Sequence, residues 1–288
     1  MSRRHRNGPP DPTPPAAPEP LAVPVADSHC HLDLMGGDVA DVLARARAVG
    51  VGGVVQVGVD VVSSRWAAQV AAEHEGVVAA VAVHPNEAGR GAATDEALRE
   101  VEALAALPQV TAVGETGLDH YRTGPEGRGA QEESFRAHIA IAKRTGTALV
   151  IHDRDSHDDV LRVLREEGAP DRVVFHCYSG DAAMAKTCAE HGYAMSFAGP
   201  VTFKTNEHLR EAARVAPAEL LLVETDAPFL TPMPFRGRPN APYLVPLTVR
   251  ALAEARGDDL DELCTALAAN SGRLLGCEPV PTGGAALP

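Results

Sequence analysis

Asp27-Ser28-His29-Cys30-His31 closes an apolar run, Leu21 to Ala26, with two histidines separated by one residue. In an extended segment side chains alternate faces, so His29 and His31 aim one way and Cys30 the other. Two imidazoles on one face can share a metal ion. A lone His-X-His pair serves packing as readily as coordination, and recurrence is what gives it weight. Further apolar runs end on a single acid or histidine, at Glu115, His152, His176 and Asp226. Four histidines with one or two carboxylates form a borderline donor set, suited to Zn and tolerable for Mn, Co, Ni or Fe, whereas Mg or Ca alone favours more oxygen. The identity of the metal, Zn, Mg, Mn, Co or Ni, stays open.

The donors divide over two ions: His29, His31 and Asp226 around one, His152 and His176 around the other, with Glu115 bridging through its two oxygens. Two divalent ions about 3.5 to 4 Å apart lower the pKa of a shared water and hold the attacking and leaving oxygens of a phosphoryl transfer. Glu115 and Asp226 are then the catalytic carboxylates, Asp226 taking the proton of the attacking water. Glu224, two residues before Asp226, points into the cluster or away from it, and strand spacing does not decide which.

These residues need elements that carry them to one place. Eight apolar runs read as strands: Val23 to Ala26, Val51 to Val59, Val77 to Val83, Val110 to Gly114, Ala148 to Ile151, Val173 to Phe175, Tyr193 to Phe197 and Leu220 to Val223. Amphipathic stretches separate them, at Val39 to Val49, Ser63 to Glu75, Asp95 to Ala106, Gln131 to Arg144, His157 to Glu167, Ala182 to Glu190 and Glu207 to Val215, with two more helices at Pro246 to Glu254 and Leu260 to Leu267. Alternation of this kind predicts parallel strands with crossover helices, and eight repeats predict an α/β fold of the (β/α)8 TIM-barrel type. In such a barrel the catalytic residues come from the C-terminal ends of several strands and meet on one rim. His84, after the third run, fits the same rim. His74, His138, His191 and His208 fall in helix-like stretches and read as surface residues. The irregular segment Ala227 to Tyr243, rich in Pro and Gly, reads as an active-site loop.

Composition narrows the possibilities. The 288 residues suffice for one large barrel, and 45% hydrophobic with 23% charged residues is ordinary for a globular chain. No apolar run approaches the 18 or so residues that span a bilayer. The first 24 residues hold eight prolines and an Arg3-Arg4-His5-Arg6 cluster without a continuous apolar stretch, so they read as a disordered extension rather than a signal peptide. The barrel then occupies residues 25–278 and a short tail residues 279–288. Five cysteines form no CxxC and no regular framework, which points to a cytoplasmic protein. The net charge of −13 argues against broad attraction to duplex DNA. An anionic substrate must instead be drawn in locally. Two divalent ions, offset by Glu115, Asp226 and a hydroxide, leave about one positive charge facing the pocket.

In this order the motifs resemble the TatD family of metal-dependent deoxyribonucleases, within the amidohydrolase-like barrels. They stand as Asp27-Ser28-His29-Cys30-His31-Leu32-Asp33, Val83-His84-Pro85, Gly114-Glu115-Thr116-Gly117-Leu118-Asp119, Val150-Ile151-His152, Phe175-His176-Cys177-Tyr178-Ser179-Gly180 and Glu224-Thr225-Asp226-Ala227-Pro228. Gly199 to Lys204 and Arg236 to Pro242 extend the match, which runs from about Val25 to Gly276. The resemblance implies a TIM-type barrel, divalent metals, the six ligands His29, His31, Glu115, His152, His176 and Asp226, and hydrolysis of DNA phosphodiesters, often from 3′ ends of single strands. Beyond the ligands, His84, Arg154 and Lys204 are candidate substrate contacts, His84 for a phosphate oxygen and the two cations for flanking phosphates. Asp33 and Asp119 read as carboxylates that orient ligands. The competing enzymatic reading keeps the metals and changes the bond to a small amide, ester or lactone. A purely structural zinc site is disfavoured, because such sites are closed shells rich in Cys.

Overall fold

Short runs rich in β-branched and small apolar residues form eight strands. In the computed structural model, which describes residues 11–281, these are β1 (Val25–Cys30), β2 (Val51–Val57), β3 (Val77–Val81), β4 (Val110–Asp119), β5 (Ala148–Arg154), β6 (Val173–Phe175), β7 (Ala194–Phe197) and β8 (Leu221–Val223). Neighbours in sequence are neighbours in the sheet and every pair is parallel. A parallel bridge between Cys30 and Ala227, with the Asp226 N–H donating to the His29 carbonyl at 2.9 Å, brings β8 back to β1. The helices are α1 (Leu32–Met35), α2 (Val39–Arg47), α3 (Val61–Glu73), α4 (Pro85–Ala88), α5 (Asp95–Ala105), α6 (Pro125–Thr145), α7 (His157–Glu167), α8 (Ala182–Glu190), α9 (Glu207–Val215), α10 (Val245–Arg256) and α11 (Leu260–Leu275). The fold is a (β/α)8 TIM barrel.

Period-two alternation along the strands separates two apolar layers. Leu149, Ile151, Val173, Phe175, Met195, Leu221 and Val223 pack outward in the layer shared with the helices. Ala26, Val55, Ala80, Ala112, Ala148, Val150, Val174, Ala194 and Leu222 fill the interior together with Leu274, Leu275 and Cys277. Small residues suit the interior because eight strands leave room for only a few side chains per layer.

The alternation is broken in two places that matter for the site. On β1, Asp27 pairs with Val54 and Cys30 with Gln56, one residue more on β1 than on β2. On β4, Val113 pairs with Leu149 and Thr116 with Ile151, again one residue in excess. Such bulges re-aim the side chains that follow. Ala112 already occupies the interior, so without its bulge β4 would turn Glu115 toward the helices.

The chain outside the barrel departs from expectation. Residues 11–24, read from composition as disordered, lie against the barrel. Arg238 donates to the Thr13 and Pro14 carbonyls, the Tyr243 hydroxyl to Pro15, and Arg250 to Pro20. Prolines lose little backbone freedom on ordering and their carbonyls remain free to accept, which is why a Pro-rich segment can be held this way. Residues 1–10 of that extension and 282–288 of the tail lie outside the described residues. His138, read as a surface residue, is fully buried, because α6 turns it inward. Its Nε2 accepts the Val83 N–H at 3.1 Å and its Nδ1 lies 2.7 Å from the Ser134 carbonyl.

Candidate metal centre

The rim above the barrel gathers the polar residues. From the bulge on β1 come His29 and His31, from the bulge on β4 Glu115, from β5 His152, from the residue after β6 His176, and from the loop after β8 Asp226. Asp226 sits at φ 53°, a left-handed conformation that Asp tolerates better than most residues. Glu115 is at the centre and its two oxygens face different partners. Oε1 lies 3.6 Å from His29 Nε2 and 3.5 Å from His31 Nε2. Oε2 lies 2.8 Å from His176 Nε2 and 3.0 Å from His152 Nδ1. Asp226 Oδ1 approaches His31 Nε2 at 3.6 Å and His29 Nε2 at 3.9 Å. The rings of His29 and His176 stack with centroids 3.9 Å apart.

The far side of each ring shows which nitrogen is free. His31 Nδ1 sits 3.1 Å from the Val57 carbonyl and donates to it. His152 Nε2 donates to Asp119 Oδ2 at 3.3 Å, and His176 Nδ1 to Glu224 Oε1 at 3.3 Å. A proton on each far nitrogen leaves the near nitrogen with a lone pair aimed at the centre, the tautomer a metal requires. Glu224 does point inward, since it follows the interior Leu222 by two residues, but it serves His176 and the Cys177 N–H rather than the centre. Asp119 accepts from Asn86 and the Arg122 N–H as well, and so holds His152 from a fixed position.

Electrostatics gives the same answer. Burial opposes ionisation of Glu115, yet His176, His84 and His152 outweigh it and hold the carboxyl well below its ordinary range. Burial pulls the His31 imidazolium down, and Asp226 with Glu115 reverses this, raising it to about 9. His152 and His176 are raised in the same way against burial, by Asp119 with Glu115 and by Glu115 with Glu224. The carboxylates therefore call for positive charge at this point. Protons on imidazole supply it only by blocking the inward lone pairs, whereas a divalent cation supplies it and uses them. Among the described residues, neither buried ring nitrogen of His29 has a hydrogen-bond partner, an arrangement that a cation at Nε2 would relieve. The donor set fits divalent metal, and His29, His31 and Asp226, and His29, Glu115 and His176, lie within common ligand distance.

His84 also approaches Glu115, with its Nε2 3.6 Å from Oε2. Its Nδ1, however, accepts the Asn86 N–H at 3.0 Å. Burial outweighs the pull of Glu115 and lowers its pKa to about 4, so the neutral ring carries its proton on Nε2 and faces the pocket as a donor. A cavity of about 680 Å³ opens over the centre, lined by His84, Arg122, Arg154, Phe229 and the candidate ligands His31, Glu115, His152, His176 and Asp226. Arg154 follows His152 by two residues on β5 and joins the same mouth. Lys204 does not. It is exposed and does not line this cavity, and Arg210 on α9 holds its segment through the Val201, Phe203 and Lys204 carbonyls. Three positioning residues carry no ligand-like spacing of their own. Buried Asp27 accepts from the Thr225 N–H and hydroxyl and ties β1 to β8, at the cost of a pKa that burial pushes up to about 7. Gln56 accepts the Leu32 N–H and donates to Asp33. Asn240 donates to the Thr225 and Phe229 carbonyls and fixes the loop after β8.

A (β/α)8 barrel that converges four imidazoles on a buried carboxylate at the C-terminal rim defines a metal-dependent hydrolase. The chain belongs to the family described as TatD related DNase, which matches residues 26–276. It is 48% identical over 260 residues to a protein of Mycobacterium tuberculosis named uncharacterized metal-dependent hydrolase TatD, covering 88% of this chain and 98% of that one. A relative from Erwinia amylovora, named 3′-5′ ssDNA/RNA exonuclease TatD, is 33% identical over 82% of this chain and 92% of its own. The crystal structure of the TatD homolog YjjV from Escherichia coli superposes with a TM-score of 0.82 at 28% identity, over 88% of this chain and 98% of that chain. Among the described residues no helix is long and apolar enough to cross a membrane.

Proposed function

We propose that this TatD-type hydrolase is a DNA phosphodiesterase that works on single strands from their 3′ ends and holds two divalent cations. The division of Glu115 supports the pair of cations: one oxygen faces His29, His31 and the Asp226 side, the other faces His152 and His176. The name of the Erwinia relative supports the substrate and the polarity. Bound cations of this kind act as Lewis acids on a phosphoryl oxygen and ionise water near neutral pH. The chain's own groups do the rest. Asp226, partly open to the cavity, accepts the proton of the attacking water. His84 donates a hydrogen bond from its Nε2–H to a non-bridging phosphoryl oxygen, and Arg154 holds a flanking phosphate. Glu224 and Asp119 keep the two imidazoles on the second oxygen in the productive tautomer. Five free cysteines, four of them buried, support a cytoplasmic setting.

The test is a substrate profile of the metal-reconstituted protein, with its metal content measured and a chelated control. Single-stranded DNA and RNA carry a label at one end or the other, beside a panel of small amides, esters and lactones. The reading expects about two metal ions per chain and 5′-labelled DNA that shortens stepwise. Cleavage confined to the small-molecule panel would instead establish the amidohydrolase-type alternative.

A further inference from the structure

The mouth of the barrel is chemically two-sided, and its two sides face each other. In a closed eight-stranded barrel the loops after β8 and β1 lie opposite those after β4 and β5. The first pair carries Phe229, Leu230 and Leu34, and the second carries Arg122 and Arg154, all lining the one cavity. Phe229 and Leu34 are each 53% exposed and line the same cavity, so they form an apolar patch at its mouth rather than scattered surface residues. Phe229 is not loose. Its carbonyl is held by buried Asn240, its N–H by the Asp226 carbonyl, and its ring stands 6.3 Å from the imidazole of His31. An aromatic face is thus fixed in water beside a metal ligand. Across the mouth, neither Arg122 nor Arg154 has a carboxylate partner among the described residues, whereas Arg90 next to them is paired with Glu87. The Arg154 guanidinium rests over the ring of exposed Tyr121, 4.1 Å from its centroid.

Resting on the phosphodiesterase reading, we infer that Phe229, with Leu34 beside it, stacks the base of the terminal nucleotide, and that Arg122 and Arg154 hold the phosphates of the chain that remains. A strand whose scissile phosphate lies over Glu115 has one side of itself on each wall. Nucleobases offer apolar faces and bind aromatic rings with little regard to sequence. The polyanionic remainder belongs on the cationic wall, where each phosphate neutralised releases counterions. The unit on the apolar wall is the one released, which makes cleavage an event at a strand end.

The experiment compares wild type with Phe229→Ala and Phe229→Trp on two 5′-labelled single strands, identical except that one lacks the 3′-terminal base. On the intact strand Phe229→Ala lowers kcat/KM roughly ten- to hundredfold, and Phe229→Trp restores it. Wild type suffers a similar loss on the abasic strand, and the two losses do not add, the mark of groups in contact. Arg122→Ala and Arg154→Ala each flatten the salt dependence of KM by a log-log slope of about 0.7. Additive losses, or equal rates for wild type on both strands, would overturn the stacking assignment while the enzyme remains a nuclease. An unchanged salt slope overturns the phosphate assignment. A wild-type protein that cleaves neither strand overturns the phosphodiesterase reading and this one with it.

Discussion

The two ends of the barrel are oppositely filled. At the base, Ala26, Val55, Ala80, Ala112 and Ala148 meet Leu274, Leu275 and Cys277, and Val280 closes over Gly52, where an added Cβ would lie 2.3 Å from the Val280 carbonyl oxygen. At the mouth, the same strands bury Asp27, His29, His31, Glu115, Asp119, His176 and Glu224. Burying apolar atoms stabilises by roughly 25 cal/mol per Å², whereas burying a polar group costs free energy unless it is paired. One end of each strand therefore supplies stability that the other end consumes. The polar end tolerates this because its carboxylates serve imidazoles, hydroxyls and backbone N–H groups; among the described residues, the ring nitrogens of His29 and one oxygen of Glu224 are the atoms there left without a partner.

If that division holds, substitutions at the two ends must separate activity from stability. The largest effect is expected at the mouth. Glu115→Gln keeps the size of the side chain and removes the charge that both groups of imidazoles share, so turnover of metal-reconstituted protein falls at least about a thousandfold, comparable to loss of a principal electrostatic group in other active sites. Its far-ultraviolet circular dichroism stays that of wild type. Substantial metal-dependent activity in this variant would remove Glu115 from the chemistry. At the base the expectation is reversed. Leu275→Ala leaves a cavity in a dry layer and costs about 2 to 5 kcal/mol, read as a shift in the urea midpoint, with kcat per folded molecule within about twofold of wild type. A base variant that lost activity in step with stability would show that the two ends are mechanically coupled.

How far these ends were legible from residue order differs for a physical reason. The β/α alternation gave eight strands, and the span of His157–Glu167, Ala182–Glu190 and Glu207–Val215 agrees residue for residue with the helices. The six polar residues at strand ends converge as their types suggest. What residue order did not reveal is parity. Simple alternation carries His152, His176, Glu224 and Asp226 inward from Ala148, Val174 and Leu222, but on β1 and β4 it carries His29 and Glu115 outward, and only the bulges correct it. A bulge is a relation between two strands, so it leaves no mark within either one. The same holds for His138, whose environment is set by the end of β3, 55 residues away. Lys204 matched a motif, yet it does not line the cavity, and Arg210 holds its segment.

His138 offers the next test, since it is buried on α6 against the end of β3 and belongs to neither group. Burial lowers its pKa to about 4, against about 6.5 in the unfolded chain. The folded protein thus binds fewer protons than the unfolded one between these values, and the stability this contributes is lost as pH falls from about 6.5 toward 4. Between pH 7 and pH 5 the loss amounts to about 2 kcal/mol from this residue. His138→Gln, whose amide oxygen can still accept the Val83 N–H, has a lower stability at pH 7 but loses about 2 kcal/mol less on going to pH 5. Urea denaturation of both proteins at the two pH values measures the difference, and parallel pH profiles would mean that His138 protonates without penalty.

The smallest effect is expected outside both ends, at the segment composition marks as disordered. Its prolines are the reason it can be ordered at little cost. Fixing an ordinary residue costs about 1 to 2 kcal/mol of conformational entropy, and four hydrogen bonds at about 1 kcal/mol each could not hold ten such residues in place. With Pro12, Pro14, Pro15, Pro18 and Pro20 already restricted in φ, much of that cost is absent, and burial of Pro15 adds to the hydrogen bonds. What the contact gives is position, because Arg238 and Tyr243 flank Asn240, and Asn240 holds Phe229 and Thr225 beside Asp226. Deletion of residues 1–20 is therefore expected to leave the unfolding midpoint within a few degrees of wild type and to raise KM about two- to fivefold with kcat unchanged. Arg238→Ala in the full chain should reproduce the rise in KM. A deletion that lowers kcat instead would mean that the N-terminal segment sets the position of Asp226 itself and not only the apolar wall of the mouth.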